Sequence, residues 1–424
     1  MVYVLLISLV AFLILSFPIA VALGLSSIIA ILFSGTIPLQ SIAQKAFTSV
    51  DSFTLMAIPF FILAGTLMEK GGIAKRLIRF ANSLVGSMTG GLGMVVVVTS
   101  MFFAAISGSG IAATAALGSI LIPAMVKNGY DRSYAGALQA ISGELGVIIP
   151  PSVSMILFGV ATGVSISDLF LAGIIPGIMI ALSLMAVVYV ISKKRGYKGD
   201  TNMPKGEVLA AFKDALLALL MPVIILGGIY GGVFTPTEAA AIAVAYSLII
   251  SMFVYKEIRV KDLIGILSKS MITTSIVMFI ISTAGIFSYI LTREGVPQKI
   301  AAFFSEVTTS PIVFLLIINV VLLIIGMFFD GSIAIIILAP LLTPAAIALG
   351  IDPIHFGMVM IVNLAIGMCT PPLGVNLFVS CQIANIKLEQ ISKAVLPFLA
   401  VMIVDVLLIS YIPQLSLFFV ELFK

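Results

Sequence analysis

Two short polar motifs interrupt long apolar segments, and both could bind an anion. Ser107-Gly108-Ser109-Gly110 supplies two hydroxyls, and Asp330-Gly331-Ser332 supplies a carboxylate and a hydroxyl. Glycine permits a tight reversal of the chain, and the next helix then presents its N-terminal amides to the anion. The alternative for these motifs is a packing interface of small residues between helices. We favour a binding site, because a carboxylate inside an apolar segment is costly and functional by default.

Two proline pairs indicate a second kind of chemistry, the binding of a small hard cation. The prolines are the last two residues of the segments Gly146–Pro151 and Gly367–Pro372, and both segments lie in apolar sequence. Proline has no N–H, so consecutive prolines leave carbonyl oxygens of the preceding turn without helical donors. Such oxygens bind Na⁺ at unwound helices, and Ser107 or Thr370 could add a hydroxyl. The alternative is a kink whose carbonyls are satisfied by neighbouring Ser or Thr residues.

These four motifs belong to an internal repeat. At an offset of 221 residues, without a gap, Pro150-Pro151 aligns with Pro371-Pro372 and Gly110 aligns with Gly331. The same register also pairs Asp131 with Asp352. Helix-breaking residues duplicated in two apolar halves are the sequence feature that best indicates a transporter binding site.

The composition is that of a polytopic helical membrane protein. Of the 424 residues, 61% are hydrophobic and 9% charged, and long apolar runs recur along the whole chain. The net charge of +4 gives no argument for a nucleic-acid partner, because the basic residues lie in short polar loops. No Walker loop or GxGxxG motif is present, so we expect no nucleotide-driven motor and no cofactor.

Hydropathy divides the chain into five parts. They are 1–91 (first scaffold spans and an amphipathic connector), 92–192 (first transport repeat), 193–213 (a polar cytoplasmic loop), 214–311 (second scaffold spans and a connector) and 312–424 (second transport repeat). The first transport repeat contains an interrupted stretch 92–126, a broken span 134–163 and a span 168–192. The second contains an interrupted stretch 312–349, a broken span 355–384 and a last span 395–412.

The basic residues favour re-entrant hairpins for the two interrupted stretches. If loop 193–213 is cytoplasmic and both stretches enter and leave from one side, 18 of the 22 Lys and Arg residues are cytoplasmic. Full spans would instead place several basic loops outside. The predicted fold is therefore an all-α inverted repeat with two hairpins and two discontinuous helices, whose tips and breaks meet near the bilayer midplane. We name the tips first tip (107–110) and second tip (330–332), and the breaks first break (146–151) and second break (367–372).

Five other polar features are weaker candidates. Glu144 could line the site, pair with a neighbour or brace the hairpin. The role of Asn363 is open in the same way. Asp405 is interpreted as a contact to another subunit, and His355 as a residue at the membrane interface. Thr235-Pro236-Thr237-Glu238 predicts a turn followed by a capped helix.

Several motifs resemble the large membrane subunit of tripartite ATP-independent periplasmic (TRAP) transporters along essentially the whole chain. They are Asp51-Ser52-Phe53, Ala57-Ile58-Pro59-Phe60-Phe61, Ile106-Ser107-Gly108-Ser109, Gly146–Pro151, Leu171–Gly177 and Phe234–Glu238. The resemblance implies an ion-transporter-superfamily fold in the bacterial inner membrane, with an elevator mechanism driven by a Na⁺ gradient. It also implies two partners, a small four-span membrane subunit expected on a separate chain and a periplasmic substrate-binding protein.

The resemblance further implies two Na⁺ sites and one substrate site. The first Na⁺ site would consist of Ser107 and the backbone of Gly146, Ile149 and Pro151. The second would consist of Gly331, Ser332, Gly367 and Thr370. The substrate would lie near Ser109, Ser154 and Asp330. Because Asp330 would repel a simple dicarboxylate and accept hydrogen bonds from hydroxyl groups, a hydroxylated organic acid is expected, with the family's sialic acid members the nearest resemblance.

Two other functions were weighed. A stand-alone Na⁺-coupled carboxylate carrier of the same superfamily would need no binding protein. An intramembrane aspartyl protease would need Asp330 and Asp405 close enough to share a proton, and no helix breaker brings Asp405 to the midplane. We therefore expect that the chain is not an enzyme.

Overall fold

A computed structural model describes residues 1–199 and 206–423, and its secondary structure over these ranges is helical without strands. The helices of the first half are α1 Val2–Ile14, α2 Ile19–Ser34, α3 Gln40–Thr48, α4 Ala57–Lys70, α5 Ile73–Val85, α6 Gly91–Ser107, α7 Gly110–Lys127, α8 Arg132–Gly143, α9 Leu145–Ile148, α10 Val153–Thr162 and α11 Ile166–Arg195. Those of the second half are α12 Glu207–Tyr230, α13 Pro236–Ile249, α14 Val260–Arg293, α15 Val296–Val307, α16 Pro311–Phe328, α17 Gly331–Ala348, α18 Pro353–Gly367, α19 Val375–Ala384, α20 Leu388–Tyr411 and α21 Gln414–Leu422.

The helices are long and apolar enough for a membrane protein. Within the described ranges, eight helices could cross a bilayer, or up to ten if each of two bent helix pairs counts as one span. Helices satisfy their own backbone groups, which is why they can stand in lipid. The prediction of an all-α polytopic protein is confirmed.

Matching residues of the repeat have matching structural roles. The side chain of Asp131 accepts a hydrogen bond from the Tyr134 amide (2.9 Å) and caps α8. Asp352 caps α18 in the same way through the Ile354 amide (2.8 Å). The amides of the first helical turn have no backbone acceptor, and each carboxylate supplies one. The repeat seen in the sequence therefore also determines where these helices begin.

Each tip separates two helices. Gly108 ends α6 with φ 61°, a left-handed conformation that favours glycine, and Ser109 caps α7. In the second half α16 ends at Phe328, and Asp330 caps α17 by accepting a hydrogen bond from the Ser332 amide (2.8 Å). Both predicted interruptions are therefore present at the predicted residues.

Each break also separates two helices. The α8–α9 segment and α10 meet at an angle of 43° across the first break, and α18 and α19 are separated at the second break. The Pro150–Pro151 and Pro371–Pro372 peptide bonds are both cis. The discontinuous helices predicted from the proline pairs are confirmed.

The two halves exchange contacts symmetrically. In the second half α19, which follows the break, packs against α7 and α8 of the first half. In the first half α10, which follows the break, packs against α17 of the second half. The second helix of each tip thus packs against the helix that follows the other half's break, and the two repeats share one core.

The outer helices pack mainly on one another. α2 contacts α1 and α14, and α13 contacts α4 and α12. Between α5 and α12, the Arg76 and Arg79 side chains form salt bridges to Asp214 (3.2 and 3.3 Å). The amphipathic connector expected before residue 92 is helix α5, and it is held to the second half by these charges.

The structure differs from the sequence prediction in its short helices. The helices α3, α15 and α21 were not predicted individually, because they are too short to give a span signal. The predicted loop 193–213 is helical at both ends, since α11 continues to Arg195 and α12 begins at Glu207. Basic residues at a helix C-terminus and an acidic residue at an N-terminus stabilise these extensions. Residues 200–205 of that loop lie outside the described residues.

Candidate functional site

The first tip lies directly against the first break. The Val153 amide donates a hydrogen bond to the Gly108 carbonyl oxygen (3.2 Å). A Cβ atom placed on Gly108 would lie 3.0 Å from the Pro151 carbonyl oxygen, and one placed on Gly146 would lie 2.7 Å from the Ser109 carbonyl oxygen. Because only glycine permits this approach, the structure brings Ser107, Gly146, Ile149 and Pro151 into one neighbourhood.

The carbonyl groups of the first break are partly satisfied. In a continuous helix, Pro150 and Pro151 would donate to Gly146 and Val147, but proline has no N–H. The Ser152 hydroxyl donates to the Val147 carbonyl instead, at 2.6 Å. The alternative of a kink satisfied by serine therefore holds at Val147.

The second tip lies against the second break in the corresponding way. The Gly331 amide donates to the Met368 sulfur (3.3 Å), and the Gly374 amide donates to the Met327 carbonyl oxygen (3.2 Å). A Cβ atom on Gly326 would lie 2.9 Å from the Gly367 Cα atom, so α16 and α18 touch through glycine. Met368 was not predicted as part of the site, since an apolar residue in an apolar segment gives no signal.

The predicted ligands of the second cation site have other partners in the break. The Thr370 hydroxyl donates to the Ile366 carbonyl (2.8 Å), and the Thr370 amide donates to the Gly367 carbonyl (2.8 Å). The Thr370 hydroxyl oxygen and the Gly367 carbonyl oxygen each keep a lone pair that a cation could use. Gly331 and Ser332 begin α17 beside Met368, which precedes Thr370 by two residues.

The predicted substrate residues lie on three helices around this centre. Ser109 and Asp330 are half-buried and cap α7 and α17, whereas Ser154 is buried on α10. Because α10 packs against α17, Ser154 and Asp330 come from neighbouring helices of opposite halves. No hydrogen bond within residues 1–199 and 206–423 joins these three side chains to one another.

Glu144 pairs with a neighbour, which was one of its three open interpretations. Its carboxylate is fully buried, and Oε1 accepts a hydrogen bond from the Asn376 amide group of α19. The Cys369 thiol also lies 3.6 Å from Oε1. No sequence pattern pairs Asn376 with Glu144, because the two residues lie on distant parts of the chain.

The remaining polar candidates are structural in this chain. Asn363 donates to Asn319 (2.8 Å), and Asp405 accepts a hydrogen bond from Ser183 (2.5 Å) inside the chain rather than facing another subunit. His355 is buried and hydrogen-bonded to Ser416 (2.6 Å), so its side chain is held inside the protein. Asp405 on α20 packs against α11, and His355 on α18 packs against α21, and span hydropathy alone reveals neither contact. The turn and cap at Thr235 and Glu238 are confirmed as a capping box.

Apolar helices broken by glycine tips and proline pairs in two related halves define a polytopic membrane transporter. Residues 6–415 match the family model described as "Tripartite ATP-independent periplasmic transporter, DctM component". The chain belongs to this family, and it is a transporter component rather than an enzyme.

Three curated relatives illustrate the family. The isethionate TRAP transporter permease protein DctMQ of Oleidesulfovibrio alaskensis is 48% identical over 96% of this chain, and the chain spans only 64% of that relative's length. The C4-dicarboxylate TRAP transporter large permease protein DctM of Pseudomonas aeruginosa is 44% identical, with 93% of each chain covered. The sialic acid TRAP transporter large permease protein SiaM of Vibrio cholerae is 41% identical, covering 90% of this chain and 89% of that one.

The fold is also similar to that of solved membrane transporters. The structure of Neisseria gonorrhoeae MtrF, titled as one of a class of antimetabolite efflux pumps, aligns with a TM-score of 0.61 and 16% identity. The alignment covers 88% of this chain and 83% of that one. At this identity the similarity concerns the fold alone.

Proposed function

We propose that this chain is the large membrane subunit of a tripartite transporter that takes up an organic acid by symport with Na⁺. The carrying observation is that each tip lies against the break of its own half, at Gly108 with Pro151 and at Gly331 with Met368. This arrangement supports two cation sites at the breaks and one anion site between the tips. The first cation site uses Ser107, Gly146, Ile149 and Pro151, and the second uses Gly331, Ser332, Gly367 and Thr370.

The proposed mechanism is an elevator movement across the bacterial inner membrane. Helices α6 to α11 and α16 to α21 form the transport domain, and α1 to α5 with α12 to α15 form the scaffold. The mutual covering of the halves by α10 and α19 supports this division, because it lets both re-entrant tips move as one body. Na⁺ bound at the breaks lowers the cost of placing the acid next to Asp330, since two cations offset the charge of both carboxylates.

The proposed substrate is a hydroxylated organic acid. Asp330 and Ser109 lie at the N-termini of α17 and α7, where amides attract an anion, and the Asp330 carboxylate accepts hydrogen bonds from hydroxyl groups. The names of the relatives span isethionate, C4-dicarboxylates and sialic acid. Isethionate and sialic acid carry hydroxyl groups, so both fit this chemistry, and sialic acid stays the substrate that the sequence motifs favour.

The proposed partners are a small membrane subunit and a periplasmic substrate-binding protein. The relative DctMQ is named as a single permease protein, and this chain matches 64% of it, which leaves a length suited to a fused small subunit. A carrier that works alone stays the second candidate, and uptake of free substrate without the binding protein would favour it.

Uptake into proteoliposomes tests the proposal. The chain and a co-encoded small subunit are reconstituted, and uptake of radiolabelled sialic acid, isethionate, malate and succinate is measured with and without the binding protein and an inward Na⁺ gradient. We expect uptake to need both, and malate to be favoured over succinate, which lacks the hydroxyl. Uptake without the binding protein would show a stand-alone carrier, and equal rates for malate and succinate would remove the hydroxyl requirement.

A further inference from the structure

A fully buried carboxylate lies where the two halves meet. Glu144 connects α8 to α9 in the first half, and its exposed fraction is 0%. Both groups that contact its Oε1 atom, the Asn376 amide and the Cys369 thiol, come from the second half. Neither the Asn376 amide nor the Cys369 thiol belongs to the proposed substrate site or to the two proposed cation sites.

Three oxygen atoms around this carboxylate have no hydrogen-bond partner in residues 1–199 and 206–423. They are Oε2 of Glu144, Oδ1 of Asn376 and Oγ1 of Thr114. All three side chains are fully buried. Proteins rarely bury unpaired oxygens, and an unpaired carboxylate oxygen is the most costly kind.

Two glycines bring the three side chains together. A Cβ atom on Gly110 would lie 2.9 Å from Oε2 of Glu144 and 3.2 Å from the Asn376 amide nitrogen. A Cβ atom on Gly143 would overlap the Thr114 hydroxyl and lie 3.0 Å from the Gly110 carbonyl oxygen. Thr114 and Gly110 lie one turn apart on α7, so the three side chains border one cradle, the space around Gly110 and Gly143 between α7, α8 and α19.

The chemistry of the cradle fits a hard monovalent cation. Its unpaired ligand atoms are a carboxylate oxygen, an amide oxygen and a hydroxyl oxygen. Such oxygen ligands suit hard cations rather than transition metals. A divalent ion such as Ca²⁺ usually takes more than one carboxylate. A proton on Glu144 could pair Oε2 with at most one of the Thr114 and Asn376 oxygens and would leave the other unpaired.

We propose that Glu144, Thr114 and Asn376 form a further Na⁺ site, separate from the sites at the two breaks. The choice of Na⁺ rests on the proposed function, whereas the choice of residues rests on the cradle. The ion bridges the first half at Glu144 and Thr114 to the second half at Asn376. It therefore holds the two repeats of the transport domain together.

Counting bound ions tests this site directly. Binding of ²²Na⁺ to the purified full chain is measured at saturation for the wild type and for Glu144→Gln, which keeps the shape and an acceptor for Asn376. We expect Glu144→Gln to bind one Na⁺ fewer per chain. Asp405→Asn is the matched control, because Asp405 is a buried carboxylate already paired with Ser183, and it should bind the wild-type number.

A second variant keeps the test decisive if Glu144→Gln fails to fold. Thr114→Val preserves the branched shape and removes one ligand oxygen. It should raise the half-saturating Na⁺ concentration of this site about tenfold, which corresponds to about 1.4 kcal/mol of binding free energy.

The outcomes separate this site from the proposed function. An unchanged ion count in Glu144→Gln, or an unchanged titration in Thr114→Val, overturns the Glu144 site and leaves the sites at the breaks standing. A wild-type chain that binds no Na⁺ overturns both the Glu144 site and Na⁺ coupling.

Discussion

The Val153 amide donates a hydrogen bond to the Gly108 carbonyl oxygen at 3.2 Å, and this bond joins the first tip to the helix that follows the first break. Residues from two separate interruptions of the chain thereby meet at one point. At this point the Cβ position of Gly108 in the tip lies 3.0 Å from the Pro151 carbonyl oxygen in the break. The following predictions test what these groups and their neighbours do.

Substitution of Gly108 should disrupt the contact between tip and break. Gly108→Ala pays about 1–2 kcal/mol for a left-handed residue and also places Cβ 3.0 Å from the Pro151 carbonyl. Gly163→Ala is the control, because Gly163 has φ 79° but no atom within 4 Å of its Cβ position. We expect both variants to lower the thermal unfolding midpoint, and only Gly108→Ala to abolish Na⁺-dependent uptake. Equal uptake in the two variants would contradict a functional role for this contact.

Removal of the Ser152 hydroxyl should destabilise the first break. Ser152→Ala leaves the buried Val147 carbonyl without its 2.6 Å donor, which costs about 1–3 kcal/mol. Ser154→Ala, two residues further along the chain, should instead reduce uptake with little change in the unfolding midpoint. Thermal unfolding of both purified variants distinguishes the two serines. A Ser152→Ala midpoint equal to the wild type would show that another group can satisfy Val147.

Neutralisation of Asp330 should change substrate selection without removing the helix cap. Asp330→Asn retains a side-chain acceptor for the Ser332 amide, so the protein should still assemble. The KM for a hydroxylated acid should rise, and discrimination against succinate should weaken. Asp352→Asn, at the matching cap of α18 with an equal distance of 2.8 Å, should leave KM unchanged. A rise of KM in both variants would attribute the effect to capping.

Loss of the Thr370 hydroxyl should weaken Na⁺ binding at the second break. Thr370→Val removes a proposed ligand together with its hydrogen bond to Ile366 (2.8 Å). Thr162→Val removes a comparable bond to Phe158 (2.7 Å) on α10, outside the proposed site. We expect the Na⁺ concentration for half-maximal uptake to rise only in Thr370→Val. An unchanged Na⁺ dependence would move the second cation site away from Thr370.

The sequence was informative where local chemistry determines structure. Gly108 and the proline pairs act within a few residues, so their effects on the helices could be predicted from type and spacing. The register of the repeat then related one half to the other. The structure agrees with these predictions at the residues named.

Contacts between distant helices could not be predicted in this way. The pairing of Glu144 with Asn376 joins residues 232 positions apart, and no pattern along either helix specifies it. The burial of His355 by Ser416 depends on α21, which hydropathy does not reveal. Met368 contacts the Gly331 amide through an ordinary apolar side chain, which no motif would single out.

The central claim is that a Na⁺ gradient drives substrate uptake through the two tips and breaks. The most direct measurement is the accumulation of radiolabelled substrate in proteoliposomes that contain this chain, its small subunit and external binding protein, under inward, zero and outward Na⁺ gradients. We predict accumulation above the external concentration only with the inward gradient, and export when the gradient is reversed. Equal accumulation under all three gradients would contradict Na⁺ coupling.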